Sequence, residues 1–448
     1  MGDSPVNAST QTTTKNIRFA SHSDTPLYEL AETEGSHSLL IRHQTTQETV
    51  GAIQSEGAST ADVLIYEGKS GLSVVVTSSL GVRYFGLPGS SVSVEGITVS
   101  LQGDPIGQSQ NNGASGPTAE TQTVTAQATI LGAGLATRFE PVSGETTQYA
   151  KPAVPLAGDR SVILCITDVL AKHGFSSVFI NTFYMPDSLK ASLKPSPIKN
   201  IQYLDEDQPS GTAGGLRKAI ENPALGILDP AQPVLVVQGD AVTDADFSGL
   251  LQAHQEQNAL ITIGCQYIGD EDVDKFGIVV TDQAGSDQVS GSVQGFMEKP
   301  ALAEAGSHRL ANTGFYVFAP EAYPMILACY EAKRQAAGTG GTDEIDLDFA
   351  KDIFPYLMQQ IQSGATSKTF WAQKVSGYWC DIGNPAQYVQ SIHDIYAGKA
   401  DLVMPETAGE YYDQGILYWP GAKKASEAEK PSLSGNVIVA LPYQPTNS

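Results

Sequence analysis

The spacing of apolar and polar positions divides the chain into three zones, and the first of these reads as β-structure. Short apolar runs there alternate with polar residues, as in Val92-Ser93-Val94-Glu95. A period of two is typical of strands with one buried face. We therefore predict a small all-β module over residues 1–102, with strands at Leu39–Arg42, Val63–Tyr66, Leu72–Thr77, Val82–Phe85 and Val92–Leu101.

The second zone, residues 103–123, is rich in Gly, Gln, Ser and Thr and has almost no large apolar side chain. Such a composition is typical of a linker. Neither the module nor the linker carries a chemical motif, so we expect the module to have a regulatory or assembly role. We also expect the rest of the chain to fold without it.

Strand-like and helix-like patterns alternate in the third zone, residues 124–400. The stretch Val162–His173 places its apolar residues on one helix face, and Asp246–Asn258 is also predicted to be helical, with Asp244 or Asp246 as its N-cap. The strand-like runs are Val124–Leu131, Ser177–Asn181, Pro233–Val237, Leu260–Gln266, Phe276–Thr281 and Phe315–Phe318. This alternation predicts an α/β fold with a Rossmann-like, mostly parallel sheet and helices on both faces.

Charge and composition limit the classes of partner. The formal net charge of −23, from 26 basic and 49 acidic residues, disfavours binding to nucleic acid or to an anionic membrane. The chain has no run of about 18 apolar residues and no apolar signal-peptide core near its start, so we expect a cytoplasmic protein. The four cysteines are widely spaced and indicate neither a disulfide framework nor a zinc site. A homo-oligomer is compatible with this composition.

One segment joins a buried strand to a loop of small residues that ends in a cation. Residues 128–141 read Ala-Thr-Ile-Leu-Gly-Ala-Gly-Leu-Ala-Thr-Arg-Phe-Glu-Pro. Open α/β sheets bind ligands at the carboxyl ends of strands, and small residues let backbone N–H groups approach phosphate oxygens closely. The planar guanidinium of Arg138 can bind such oxygens. A Gly-x-Gly turn by itself fits a tight strand-to-helix connection equally well.

A lysine flanked by prolines follows this loop, in Ala150-Lys151-Pro152-Ala153-Val154-Pro155. Prolines restrict the backbone around the lysine. We therefore interpret Lys151 as a fixed positive charge for a second anion.

Together with these two segments, residues 124–400 resemble the NDP-sugar pyrophosphorylase family, the sugar-1-phosphate nucleotidyltransferases. Six further motifs follow in the order that is typical of the family. They are Gly211-Thr212-Ala213-Gly214, Gln238-Gly239-Asp240, Phe276-Gly277, Glu298-Lys299-Pro300, Asn312-Thr313-Gly314-Phe315-Tyr316-Val317-Phe318 and Gly377-Tyr378-Trp379-Cys380-Asp381-Ile382-Gly383.

The resemblance implies an enzyme that forms an NDP-sugar and pyrophosphate from an NTP and a sugar 1-phosphate, a hexose 1-phosphate above all. It implies catalytic roles for Arg138, at the leaving pyrophosphate, and for Lys151, at the α-phosphate. Asp240 and Asp381 would hold Mg²⁺, the implied cofactor. The implied nucleotide-binding residues are Leu131, Gly132, Ala133, Gly134, Thr137, Thr212 and Gly214, and the implied sugar-binding residues are Gly277, Glu298, Lys299 and Asn312. The nucleotide would leave no room for a side chain at Gly134 or Gly214.

The loop before Lys151 departs from the family's pattern. Lys151 lies 13 residues after Arg138, a longer interval than is usual, with an insertion at Ser143–Tyr149. Ala136 and Ala150 stand where the family has glycine and proline. The segment around Lys151 resembles the ADP-glucose branch, whereas the Gly-Thr-Ala-Gly turn resembles mannose-1-phosphate guanylyltransferases. The nucleobase and the sugar therefore stay open.

Two alternatives and the tail complete the predictions. The altered loop and added module also fit a catalytically weak homologue that binds sugar nucleotides as a regulatory subunit or sensor, although Asp240 and Lys299 are retained. A cytidylyltransferase for a non-sugar phosphate is disfavoured, because Glu298 and Asn312 are of sugar-binding types. The tail, residues 401–448, is predicted to be an extension with at most one β-helix-like coil at Ser434–Ala440, too little to bury a core.

Overall fold

The computed structural model describes most of the chain outside the predicted linker. The described residues are 12–14, 17–21, 25–32, 38–56, 59–68, 71–103, 126–140, 142–143, 147–222, 226, 228–283, 290–338, 344–406, 412–413, 416–419, 422, 432–434 and 437–440. The predicted linker lies outside them except for its first residue. Among them, no helix combines the length and the apolar character needed to cross a membrane.

An all-β module is present at the N-terminus, as the alternating pattern predicts. Strand Ile17–Ser21, for example, buries Ile17 and Phe19 and exposes Arg18 between them. The strands are β1 (Thr12–Thr14), β2 (Ile17–Ser21), β3 (Tyr28–Glu32), β4 (Ser38–His43), β5 (Thr49–Ser55), β6 (Asp62–Gly68), β7 (Gly71–Thr77), β8 (Arg83–Gly86), β9 (Ser91–Val94) and β10 (Ile97–Leu101). The predicted single strand Val92–Leu101 was wrong, because Glu95 and Gly96 both adopt positive φ angles, 49° and 78°, and turn the chain into a hairpin.

The predicted α/β fold is confirmed in the following zone. Its strands are β11 (Gln127–Leu131), β12 (Pro155–Ala157), β13 (Arg160–Ser161), β14 (Ser177–Thr182), β15 (Asn200–Asp205), β16 (Val234–Gln238), β17 (Ala241–Thr243), β18 (Ala259–Tyr267), β19 (Gly277–Thr281), β20 (Gly291–Glu298), β21 (Leu310–Phe318), β22 (Thr369–Lys374) and β23 (Trp379–Asp381). Its helices are α1 (Val162–Lys172), α2 (Pro186–Ser192), α3 (Gly214–Glu221), α4 (Phe247–Glu256), α5 (Leu302–Ala305), α6 (Ala322–Ala336), α7 (Phe354–Gln362) and α8 (Pro385–Tyr396). Short 3₁₀ segments lie at Lys151–Ala153 and Asp270–Lys275, and a π-helical turn lies at Phe349–Ile353.

Both predicted helices form, and each begins at a side-chain cap. Asp246 accepts a hydrogen bond from the backbone N–H of Gly249 and so begins α4, one of the two N-caps that the sequence indicated. Ser161 accepts from the N–H of Leu164 at the start of α1. Capping of this kind satisfies a backbone donor that has no partner within the helix.

Across the described segments, the central sheet has nine strands, in the order β15-β14-β11-β16-β21-β18-β22-β20-β19. Strands β14, β11 and β16 are parallel, whereas β21 is antiparallel to both of its principal neighbours, β16 and β18. The sheet is therefore mixed. Parallel pairing sets Leu131 of β11 beside Gln238 of β16 at their carboxyl ends, so the loops that follow these strands meet at one edge.

The C-terminal strands complete the N-terminal module instead of forming a coil of their own. They are β24 (Tyr412–Asp413), β25 (Ile416–Tyr418), β26 (Ser432–Ser434) and β27 (Val437–Ala440). Strand β27 pairs with β8 and with β25 in an eight-stranded sheet, and β26 pairs with β9 in a six-stranded sheet. The module thus combines segments from both ends of the chain, which corrects the prediction of a separate extension at residues 401–448.

The module and the α/β domain share a hydrophobic core. One continuous cluster of buried side chains joins Val75 and Phe85 of the module to Phe139 and Val162 of the α/β domain. A second cluster, which includes Ile41, fills the interior of the module itself. This shared core argues against our expectation that the α/β domain folds without the module.

Deletion of residues 1–122 tests the shared core. The deletion removes the strands that pair with β26 and β27 and exposes apolar side chains that pack around Phe85, a residue whose burial alone is worth about 1.5–3 kcal/mol. We expect the truncated protein to aggregate on expression or to lose its cooperative thermal unfolding transition, measured by gel filtration and circular dichroism. A soluble truncated protein that unfolds at the same temperature as the full chain would contradict this expectation.

Candidate active site

Two aspartates from distant parts of the sequence meet at the carboxyl edge of the sheet. Asp240 follows β16, and the N–H of the intervening Gly239 donates to the carbonyl of Leu131 at 3.0 Å. Strand β17, directly after Asp240, pairs antiparallel with β23 and sets Ala241 opposite Asp381. Backbone pairing therefore brings the two carboxylates together independently of any side-chain attraction.

Lys151 lies between these carboxylates. Its Nζ is 2.6 Å from Oδ2 of Asp240 and 3.9 Å from Oδ1 of Asp381, and its side chain is only 8% exposed. The backbone around it is fixed, because Lys151 begins a 3₁₀ turn and the N–H of Ala150 donates to Oγ of Ser188 at 2.8 Å. Since both carboxylates contact one ammonium group, they lie within the roughly 8 Å over which two carboxylates can share a hydrated magnesium ion.

The two aspartates differ in their ease of ionisation. Burial and the charge of Asp240 raise the pKa of Asp381 to about 6, and the positive charges of Lys151, Arg138 and Lys299 oppose this rise. Burial also disfavours ionisation of Asp240, but the charge and hydrogen bond of Lys151 hold the pKa of Asp240 below its usual value. One ammonium group thus compensates one carboxylate well and the other poorly, an arrangement that favours binding of a further cation.

The donor set fits Mg²⁺ bound jointly by protein and substrate. Within the described ranges, no group of three or more His, Cys, Asp or Glu side chains converges as a metal site would require. Mg²⁺ usually keeps several waters and binds through one or two carboxylates together with substrate phosphates. Asp240 and Asp381 match this mode of binding.

A cavity of about 480 Å³ opens on one side of the aspartate pair and contains all four predicted sugar-binding residues. Antiparallel pairing of β19 with β20 sets Gly277 opposite Glu298, where an added Cβ would lie 3.2 Å from Oε2 of the glutamate. The lining also includes Arg138, Gln238, Asp240, Phe276, Lys299, Asn312, Gly314, Trp379, Asp381 and Gln387. Carboxylate, amide and ammonium groups there can bind a polar, phosphorylated ligand.

The amide of Asn312 is oriented by its own strand. Its Oδ1 accepts the N–H of Gly314 at 3.0 Å, and its Nδ2 donates to the hydroxyl of Tyr316 at 3.1 Å. Gly314 has a φ of 78°, and an added Cβ would lie 2.1 Å from Cγ of Gln238. The glycine of this motif is therefore required by packing against the strand that leads to Asp240.

A second cavity, of about 390 Å³, opens on the other side and collects most of the predicted nucleotide-binding residues. Its lining includes Leu131, Ala133, Gly134, Thr137, Arg138, Lys151, Asn181, Glu206, Ser210, Gly211, Thr212, Gln238 and Asp240. Arg138 and Asp240 line both cavities, so the two open on a common centre.

The three glycines predicted to bind the nucleotide differ in their surroundings. Gly132 and Gly214 are not among the described lining residues. An added Cβ at Gly132 would lie 2.9 Å from the carbonyl oxygen of Asn181, and one at Gly214 would lie 2.0 Å from Oγ of Ser210. At Gly134, which does line the cavity, no described atom lies within 4 Å of an added Cβ. Protein packing alone therefore already excludes a side chain at Gly214, whereas the protein leaves the space beside Gly134 open.

Sequence reasoning missed a buried polar network in the wall of this cavity. Glu206, with a side chain 1% exposed, accepts from Nδ2 of Asn181 at 2.7 Å, from Nζ of Lys218 at 2.8 Å and from the hydroxyl of Ser210. Oδ1 of Asn181 in turn accepts the N–H of Gly132 at 3.1 Å. The sequence did carry a signal for this network. Asn181 lies at the carboxyl end of β14 and Glu206 directly follows β15, and open α/β sheets bind ligands at the carboxyl ends of their strands.

Comparison with known proteins agrees with this geometry. The family model for nucleotidyl transferases matches residues 127–397, more than half of the chain. A UTP–glucose-1-phosphate uridylyltransferase of Synechocystis sp. is 29% identical over 281 residues, which are 60% of this chain and 63% of that protein, less than two thirds of its length. Mannose-1-phosphate guanyltransferase beta-A of Xenopus laevis is 27% identical over 302 residues, 66% of this chain and 72% of that protein.

A glucose-1-phosphate adenylyltransferase of Thermotoga sp. is 25% identical over 342 residues, 71% of this chain and 73% of that protein. Among solved structures, a UDP-glucose pyrophosphorylase from Acinetobacter baumanii is 19% identical, with a TM-score of 0.45 over 60% of this chain and 93% of that one. The resemblance inferred from the motifs is confirmed: the chain belongs to the nucleotidyl transferase family, among the sugar-1-phosphate nucleotidyltransferases.

Proposed function

We propose that the protein forms an NDP-sugar and pyrophosphate from an NTP and a sugar 1-phosphate, with a hexose 1-phosphate as the sugar substrate. The observation that carries the proposal is the centre formed by Lys151, Asp240 and Asp381, with a cavity on either side. The relatives named above are, by their names, uridylyl-, guanylyl- and adenylyltransferases of sugar 1-phosphates. Two cavities that share one charged centre fit two phosphorylated substrates.

The proposed reaction is an in-line displacement at phosphorus. A phosphate oxygen of the sugar 1-phosphate attacks the α-phosphorus of the NTP, and the bond from the α-phosphorus to the bridging oxygen of pyrophosphate breaks. Such reactions depend on positioning and on neutralisation of charge, and they need no nucleophile from the protein.

Three cationic side chains of this chain would each bind a different phosphate group of the substrates. Lys151 lines the second cavity and contacts Asp240, which lines both; it would bind the α-phosphate, where negative charge develops. Arg138 lines both cavities and would neutralise the leaving pyrophosphate. Lys299 lines the larger cavity and would bind the phosphate of the sugar. A planar guanidinium suits the multi-oxygen leaving group, whereas an ammonium acts as a point charge.

Asp240 and Asp381 would hold the proposed Mg²⁺, which supplies positive charge to the phosphoryl oxygens. Asp240 would then no longer depend on Lys151 for compensation, and the ammonium could turn to the α-phosphate. The raised pKa of Asp381 indicates that the positive charges around this carboxylate do not fully compensate it. A bound cation would therefore stabilise its ionised form.

Pyrophosphate release tests the proposed function directly. The purified full chain should release pyrophosphate with at least one pair drawn from ATP, GTP, UTP, CTP or dTTP and glucose, galactose or mannose 1-phosphate. The release should stop in EDTA and return with Mg²⁺ or Mn²⁺. Binding of NDP-sugars without turnover of any pair would point to a regulatory homologue, and full activity in EDTA would exclude the metal.

Substitution of Lys151 tests its assignment to the α-phosphate. Lys151→Ala should lower kcat by about 100-fold, roughly 2.7 kcal/mol of barrier, because the contact strengthens as charge develops. The Kd of the NTP, measured by calorimetry, should change much less. Lys172→Ala is the matched control, since Lys172 pairs with Asp401 on the surface at 2.8 Å. Unchanged kcat in Lys151→Ala would show that another cation has the role.

A further inference from the structure

The loop from Arg138 to Lys151 is packed against the N-terminal module at its beginning. Phe139 and Val142 are fully buried, in the same core as Phe85 of the module. Between them, Glu140 accepts a hydrogen bond from the hydroxyl of Tyr66 on strand β6, at 3.0 Å. The beginning of the loop is therefore anchored by both apolar and polar contacts to a part of the chain that carries no substrate-binding motif.

Trp419 anchors the end of the same loop. It follows β25 directly, and its N–H donates to the carbonyl of Val439 in β27 at 2.8 Å, so the sheet of the module carries it. Its side chain is buried, and its ring lies 5.0 Å from that of Tyr149 in an edge-on arrangement. Tyr149 stands two residues before Lys151. The C-terminal strands thus place an aromatic anchor next to the lysine.

From Trp419, contacts reach the other side of Lys151 as well. The indole Nε1 donates to the hydroxyl of Tyr388 at 3.0 Å, and that hydroxyl donates to the carbonyl of Pro155. The ring of Tyr388 lies 5.5 Å from the ring of Phe139, whose centroid is 5.7 Å from Nζ of Lys151. The contacts of Trp419 and Tyr388 thus reach the backbone on both sides of Lys151, at Tyr149 and Pro155. The ring of Phe139, which packs on Tyr388, lies against the ammonium group of Lys151.

We propose that Trp419 is a positioning residue for Lys151, acting through Tyr149 and Tyr388. This inference rests on the proposed function, in which Lys151 binds the α-phosphate. Among the described residues that line the two cavities, neither Trp419 nor its two partners appears, so its effect on the reaction is indirect.

The lengthened loop gives a physical reason for such an anchor. A longer connection has more conformational freedom, and holding its end in place costs more entropy. The family's proline before the lysine, which would restrict the backbone, is Ala150 here. Aromatic packing and a hydrogen bond from the module offset the loss of that restriction and keep Lys151 between Asp240 and Asp381.

The test compares Trp419→Leu with Phe19→Leu in the full chain. Phe19 is buried in the module's own interior, so Phe19→Leu destabilises the module without touching the loop. At a temperature where both variants are folded, Trp419→Leu should lower kcat at least tenfold with little change in KM for the sugar 1-phosphate. Phe19→Leu should keep the wild-type kcat. Trp419→Phe retains an aromatic ring and should recover part of the loss.

Amide hydrogen exchange, followed by mass spectrometry, supplies a readout that needs no activity. Exchange over residues 147–155 should quicken in Trp419→Leu and stay unchanged in Phe19→Leu. If the wild type turns over no substrate pair, the proposed function fails while exchange still tests the anchor. Equal losses of kcat in the two leucine variants, or unchanged exchange over 147–155, would overturn the proposal. If Trp419→Leu does not fold, Trp419→Phe and Tyr388→Phe allow the same comparison.

Discussion

Two carboxylates held side by side repel each other unless positive charge lies between them. Pairing of β17 with β23 fixes Asp240 and Asp381 in this position through the backbone, whatever their side chains prefer. Lys151 contacts both carboxylates, and the positive charges of Arg138 and Lys299 also act on Asp381. In a chain with a net charge of −23, such a cluster is the kind of local positive site that phosphorylated substrates require.

That charge balance depends on parts of the molecule far from the cleft. Lys151 can compensate the aspartates only while the loop before it holds its position, and the loop packs on the N-terminal module. The module is in turn completed by C-terminal strands, which carry Trp419 to the ring of Tyr149. Both ends of the chain therefore contact the segment that carries Lys151, and the shared core makes the module and the α/β domain one folded unit.

The sequence predicted best those features that are determined locally or by motif order. Leu131 and Asp240 could be placed at one edge because the carboxyl ends of parallel strands share an edge. The direction of β21 could not be predicted, since a strand buried on both faces reads as an apolar run in either orientation. Strand β25 is three residues long and carries no periodic signal, so its pairing with β27 and the anchoring contact of Trp419 had no local signature. The turn at Glu95–Gly96 could have been found, because glycine commonly marks such turns.

The central claim is that Asp240 and Asp381 act through one shared cation, and a double-mutant cycle on the rate of pyrophosphate release measures it directly. Asp240→Asn and Asp381→Asn should each lower the rate at least tenfold, about 1.4 kcal/mol of barrier. The double variant should lose less than the product of the two, because the second substitution acts on an ion that the first has already weakened. Asp401→Asn, a surface control, should keep the full rate. Strictly multiplicative losses, with an unchanged Mg²⁺ dependence in each single variant, would contradict a shared ion.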